Sequence, residues 1–212
     1  MFTEQFPFAK HVQQLHKQFT LLKKLTIPTA LTWKIDWKVT LMDDASHVKT
    51  ALFKKHPFFS EIVEKNSQPA VYTFSIQPKV QRSIFENYVA LKKVSADIRK
   101  KNGVQHPEFF NICHVPRRLA ESSFLYVGSV KKDVLSRIHQ HLGIANSGRT
   151  GALYLRKLVP LLPKPPVIEI SIYFFDRQYK HLTEQMEYVF QRKFNPMLGK
   201  KSIADLTPPA DI

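Results

Sequence analysis

The chain has 212 residues, 43% of them hydrophobic, which is enough apolar material for one large domain with its own core. Its 32 lysines and arginines against 17 acidic residues leave a formal net charge of +15, which points to a polyanionic partner, nucleic acid above all. No apolar run reaches the roughly 18 residues of a membrane span. MFTEQFPFAKHVQQ lacks the basic-then-apolar order of a secretory leader, and the single cysteine, Cys113, rules out an internal disulfide, so a reducing cytoplasmic setting is expected.

In chain order, Val12, Leu15, Phe19, Leu22 and Leu25 recur at three- and four-residue spacing and predict a helix that Pro28 ends. LTWKIDWKVTL alternates, with Leu31, Trp33, Ile35, Trp37 and Val39 on one face, and predicts a strand. VKTALFKKHPFFSEIVEK predicts helix interrupted near Pro57. The turn residues Asn66 to Pro69 introduce a short strand, AVYTFSI, stopped by Pro78. A long helix follows, with Ile84, Tyr88, Leu91 and Ile98 in phase and Gly103 at its end, before an irregular stretch to Ser123.

FLYVGSV is the next strand. Asp133 is placed to cap the helix VLSRIHQHL, which Gly143 closes. After the polar turn NSGRTG come a helix in ALYLRKLV, a Pro-rich loop, the strand VIEISIYFF and the helix HLTEQMEYVFQRKF, ended at Asn195-Pro196.

The helix after FLYVGSV carries the first candidate chemistry. Val134, Leu135, Ile138 and Leu142 form its apolar stripe, while Arg137 and His141, four apart, share a neighbouring face. The short connection brings Tyr126 beside them. A guanidinium is a fixed planar donor for phosphate oxygens, an imidazole can donate or move a proton, and a tyrosine needs nearby positive charge to act as a base. In the last helix, Leu182, Met186, Val189 and Phe190 mark the buried side. Glu187 lies at its margin, where a carboxylate near basic groups suits Mg²⁺, and Glu184 points nearly opposite and reads as solvated.

His139 points away from Arg137 and His141 and reads as solvated. Cys113-His114 lacks partners at zinc spacing. Ser129, Lys131 and Lys132 make a basic turn, one lysine of which can touch phosphate; an exposed basic loop is the alternative. Ser147 to Thr150, including Arg149, can form an anion-binding nest or an ordinary turn. Trp33 and Trp37 can cover a core or stack bases. Neither a Walker-type phosphate loop nor a Rossmann fingerprint occurs.

Taken together, the motifs resemble the GIY-YIG nuclease superfamily. AVY, Ala70 to Tyr72 after Pro69, resembles its first motif, and YVG, Tyr126 to Gly128, its second. Arg137 and His141 match the arginine and the following histidine, and Glu187 the metal-binding glutamate, at a fitting distance from Pro196 and Met-Leu-Gly. The resemblance implies an α+β fold with a small three-stranded antiparallel sheet flanked by helices. It divides the chain into a mostly helical N-terminal extension, residues 1–68, a nuclease-like domain, residues 69–204, with a helical insertion at about residues 79–122, and a tail, residues 205–212.

It also implies a DNA endonuclease using one Mg²⁺ or Mn²⁺ held by Glu187, with Tyr72, Tyr126, Arg137, His141 and Glu187 as the catalytic set. Tyr72 is favoured as base, with Tyr126 donating to phosphate. Lys131, Lys132 and Arg149 beside the site, and Lys17, Lys23 and Lys24 on the extension, are the expected DNA contacts. Ala70 in place of the usual glycine, one extra residue before Arg137, and the insertion between the two tyrosine motifs motivate an alternative, a DNA-binding protein that no longer cuts. A basic protein that partners an acidic one is the third reading.

Overall fold

The computed structural model describes residue 13, residues 16–17, 20–21, 23–116, 119, 121–145 and 151–199. Four antiparallel strands make its sheet: β1 (Leu31–Lys34), β2 (Ala70–Ile76), β3 (Phe124–Val130) and β4 (Ile168–Phe174), in the order β1-β4-β2-β3. β2 is rich in β-branched and aromatic side chains, lies between two neighbours, and is buried on both faces apart from partial exposure at Ser75.

The sheet corrects the three-stranded expectation. Leu31 pairs with Ile172 and Lys34 with Glu169, so the N-terminal extension supplies a fourth strand. That strand is also shorter than its alternation predicts. Asp36 accepts from the backbone N–H groups of Lys38 and Val39 and caps a helical turn, α1 (Trp37–Thr40). The local cap outcompetes the alternating pattern.

Helices cover one face of the sheet: α2 (Ala45–Lys55), α3 (Pro57–Lys65), α4 (Gln81–Asn102), α5 (Val134–Leu142) and the short α6 (Leu155–Leu158). His56 is extended between α2 and α3 because it precedes Pro57, which takes the first position of α3. Phe58, Phe59, Ile62, Ile84, Tyr88, Leu91, Val134, Ile138 and Leu142 pack there against Tyr72, Phe74, Ile170 and Ile172. The helix expected from Ala152 begins later, because Tyr154 takes a left-handed conformation, φ 49°, and residues 151–153 are not helical.

The other face is covered by α7 (Thr183–Phe194), whose Met186 and Phe190 meet Val71, Val127 and Phe175. Val189, expected inside, is 49% exposed. Leu25 of the extension also touches this cluster. After α7, Met197 and Leu198 donate to the carbonyls of Phe124 and Leu125 and cover the outer edge of β3. Among the described residues no helix is long and apolar enough to cross a membrane. Of the amphipathic N-terminal pattern, Val12, Leu15, Phe19 and Leu22 lie outside the described residues, as does the tail.

Trp33 joins β1 to the core: it is 6% exposed and packs against His56, Phe58 and Phe59. Trp33→Ala is expected to cost about 3–5 kcal/mol of unfolding free energy, read by urea denaturation. A cost below about 1 kcal/mol would mean that β1 is not part of the folded unit.

Candidate active site

Strand register starts the site. Phe74 pairs with Tyr126 and Tyr72 with Gly128, so Tyr72, Tyr126 and Gly128 share the helix-covered face. The long insertion leaves β2 and returns to β3 at the same end, where Ile76 N–H donates to Ser123 O at 2.8 Å, and the pairing survives it. The two phenol rings lie 6.3 Å apart and nearly parallel. Gly128 is what admits them. A Cβ there would fall 2.5 Å from Tyr72 Oη and 2.7 Å from Tyr126 Cε1.

α5 delivers the next two groups. Asp133 takes a left-handed conformation, φ 61°, and accepts from Ser136 N–H, while Asn66 Oδ1 accepts from Leu135 N–H. These caps fix where the helix starts, and so which side chains point inward. Arg137 Nε donates to Tyr72 Oη at 3.2 Å, and His141 Nε2 lies 3.1 Å from the same oxygen. The Tyr126 phenol is near enough to couple electrostatically to Arg137. Its two outer nitrogens donate to Gln140 Oε1 at 2.8 Å and to Gly151 O at 2.5 Å.

Backbone from residues 151–153 completes this wall. Leu153 N–H donates to His141 Nδ1 at 3.1 Å, and Leu153 O accepts from Tyr88 Oη at 3.0 Å. Ala152 exchanges hydrogen bonds with Asn111 O and Cys113 N. A Cβ on Gly151 would lie 2.8 Å from Cys113 Cα, so only glycine allows this approach. The insertion therefore backs the segment that holds Arg137 and His141.

Glu187 arrives from the opposite side of the sheet, at the β3 edge. Ser129 Oγ donates to its Oε2 at 2.5 Å and Gln191 Nε2 to its Oε1 at 2.8 Å. Its charge is felt by Tyr72 and Tyr126, and it feels Arg137. Tyr72, Tyr126, Arg137 and His141 thus cluster on the helix-covered face, and Glu187, held by Ser129 on the other face, is near enough to couple to them electrostatically.

Burial governs their protonation. It pushes Tyr72 up to about 12, against the pull of Arg137, and Tyr126 well above the usual phenol value. Burial, reinforced by Arg137, holds His141 well below the usual imidazole value. Burial, with Glu184 adding to it, raises the Glu187 carboxyl, while Ser129 and Arg137 pull it back.

Other candidates fall elsewhere. Lys131 is exposed and pairs with Glu184 at 3.4 Å, and Lys132 borders a surface groove with Asn66 and Asp133. Lys17, Lys23 and Lys24 are exposed, and Arg149 lies outside the described residues. Trp33 is core, and Trp37 donates to Pro166 O at 2.6 Å from a helical turn, so the two do not form a stacking platform. Cys113 is buried, its thiol pushed up to about 12 by burial.

His139 corrects the solvated expectation. It is 7% exposed and stacks near Phe59, because α3 covers α5 on that side. The contributions of Ser129, Gln140, Gln191 and the backbone of residues 151–153 were not read from the sequence. Ser129 alone was signalled, since alternation from Val127 places it on the α7 face.

Among the described residues no group of three or more His, Cys, Asp and Glu can hold a metal. Among the described candidate residues Glu187 offers the carboxylate. That donor set is wrong for tetrahedral zinc, but fits an ion that takes its other ligands from water and substrate phosphate. Compared with protein-family models, curated proteins and solved structures, the chain matches none.

The two buried imidazoles make stability depend on pH. Unfolded histidine binds a proton near pH 6.5, whereas folded His139 does so only at about 4 and folded His141 well below its ordinary value. The unfolded state therefore takes up more protons as pH falls, and unfolding free energy drops below about pH 6.5 by up to about 1.4 kcal/mol per pH unit for each imidazole. The raised Glu187 carboxyl opposes this only at the acid end. Urea denaturation at pH 7, 6 and 5 should show the decline, with a shallower slope in His139→Gln. A flat wild-type profile would show that neither imidazole is held neutral.

Proposed function

We propose that the chain is a divalent-metal-dependent endonuclease that hydrolyses DNA phosphodiester bonds in the cytoplasm. The observation that carries this reading is Arg137 fixed on the Tyr72 hydroxyl, with the half-buried Glu187, held by Ser129, close enough to feel its charge. A cationic fork beside a lone carboxylate suits a phosphate bridged to a metal. The net charge of +15 supports DNA as the polyanion. The likeness of the motif order to GIY-YIG nucleases supports the same reading.

In this scheme Arg137 stabilises the charge that grows on the phosphate oxygens, and the tyrosines line the same pocket. Glu187 would hold Mg²⁺ or Mn²⁺, which would supply Lewis-acid polarisation and a more acidic water. Ser129 and Gln191 orient the carboxylate. Lys131, Lys132, Arg149, Lys17, Lys23 and Lys24 add phosphate contacts that position the duplex without reading its sequence. One observation favours the second reading, a binder that does not cut. Both Glu187 oxygens already accept hydrogen bonds, and burial favours the protonated carboxyl.

Plasmid nicking with Mg²⁺ or Mn²⁺ separates the two. Glu187→Ala and Arg137→Ala are each expected to lose at least about 100-fold in rate while keeping salt-dependent DNA binding. Alanine at Lys17, Lys23 and Lys24 together is expected to lower the salt slope by up to about 0.9 for each lysine that neutralises a phosphate. Binding without nicking in any metal would establish the second reading, and equal nicking by wild type and Glu187→Ala would remove the site assignment.

A further inference from the structure

The hydroxyl of Tyr72 sits in an unusual setting. It is 1% exposed, inside an apolar cluster, and two nitrogens approach its oxygen. One is Arg137 Nε, which can only donate. The other is His141 Nε2, whose role depends on where the imidazole keeps its proton.

The backbone decides that question. Leu153 N–H points at His141 Nδ1 at 3.1 Å, and a peptide N–H can only donate, so Nδ1 must present its lone pair. His141 is wholly buried beside a guanidinium, so the doubly protonated ring is disfavoured. The remaining proton is then on Nε2, facing Tyr72. Tyr72 Oη receives two donors, and its own proton is left to be given away. Gly128 keeps the space beside that oxygen free of a side chain, since an added Cβ would stand 2.5 Å from Oη.

We propose that His141 is a positioning residue locked by the Leu153 backbone as the Nε2–H tautomer, and that it thereby makes Tyr72 a hydrogen-bond donor to the substrate phosphate and not a base. The second half rests on the nuclease reading; the first half does not. The assignment reverses the role expected from the sequence, in which Tyr72 is the favoured base. It also has an energetic logic. A hydroxyl that accepts hydrogen bonds is polarised and donates more strongly, and a fixed donor aimed at a developing oxyanion stabilises the transition state. A phenol pushed up to about 12 keeps its proton near neutral pH, in agreement with the donor role.

The lock is built in part by the inserted helix. Leu153 is held by Tyr88 Oη at 3.0 Å, from the helix inserted between the two tyrosine strands, and Ala152 is bridged to Ile112 of the same insertion. Every member of the path Tyr88, Leu153, His141 and Tyr72 is at most 1% exposed. The insertion thus reaches the site through the Tyr88 hydroxyl and the backbone of residues 152 and 153.

The test uses the full chain labelled with ¹⁵N-histidine. Long-range ¹H–¹⁵N correlation at neutral pH should give His141 the pattern of a ring protonated at Nε2 and bare at Nδ1. A ring protonated at Nδ1, or at both nitrogens, overturns the proposal whether or not the protein cuts DNA. Two variants test the consequence. In His141→Gln the amide nitrogen takes the place of Nε2–H, so nicking should stay within about 10-fold of wild type. His141→Asn places its amide near Nδ1 and should lose about 100-fold or more, with unchanged DNA affinity. Equal losses in the two variants, or full activity in Tyr72→Phe, overturn the donor role. Absence of nicking in the wild type overturns the nuclease reading and with it that role, while the tautomer is still decided by the spectrum.

Discussion

The oxygen of Tyr72 is the point on which the structure turns. A phenol, an imidazole and a guanidinium are brought together on the inner face of a sheet whose other residues there are largely isoleucine, phenylalanine and tryptophan. Polar groups placed so are costly unless each finds a partner. Each does: Tyr72 accepts from Arg137, His141 accepts from Leu153, and Arg137 is shared with Gln140 and Gly151. A partly satisfied version of the same network would be worse than an apolar core.

Much of the surrounding backbone follows from that requirement. Gly128 has no side chain because two phenols need its space, and Gly151 has none because residues 151–153 must reach both Arg137 and the segment at Cys113. Tyr154 bears a left-handed backbone immediately after that segment, a conformation that a bulky residue adopts only when its surroundings impose it. On the far side of the sheet Glu187 is held by Ser129 of β3. Among the described residues the backbone of Met197 and Leu198 covers the beginning of the β3 edge, at Phe124 to Tyr126.

How much of this could be read from the sequence depended on what carried the information. Periodicity located β2, β3, α5 and α7 almost to the residue, because each has a strong local pattern and clear ends at Pro69, Asp133, Gly143 and Asn195. The five candidate residues could be named because their side-chain types are chemically distinctive and lie on those elements. The fourth strand was seen as a strand but not as part of the sheet, since its pairing with β4 is a long-range event that no local pattern encodes. His139 was misread because a helix wheel assumes one buried face, and α5 is enclosed on two sides. The segment of residues 151–153 was invisible because its contribution is made by peptide groups, which every residue possesses.

The central claim is that one metal and one phosphate meet beside Gly128. Mn²⁺ added to ¹⁵N-labelled protein in complex with a non-hydrolysable duplex measures this directly by paramagnetic broadening. The account predicts that the amides of Gly128, Ser129 and Glu187 broaden first, and that Glu187→Gln abolishes the effect while the duplex stays bound. Broadening centred on another part of the molecule, or unchanged in Glu187→Gln, would contradict it.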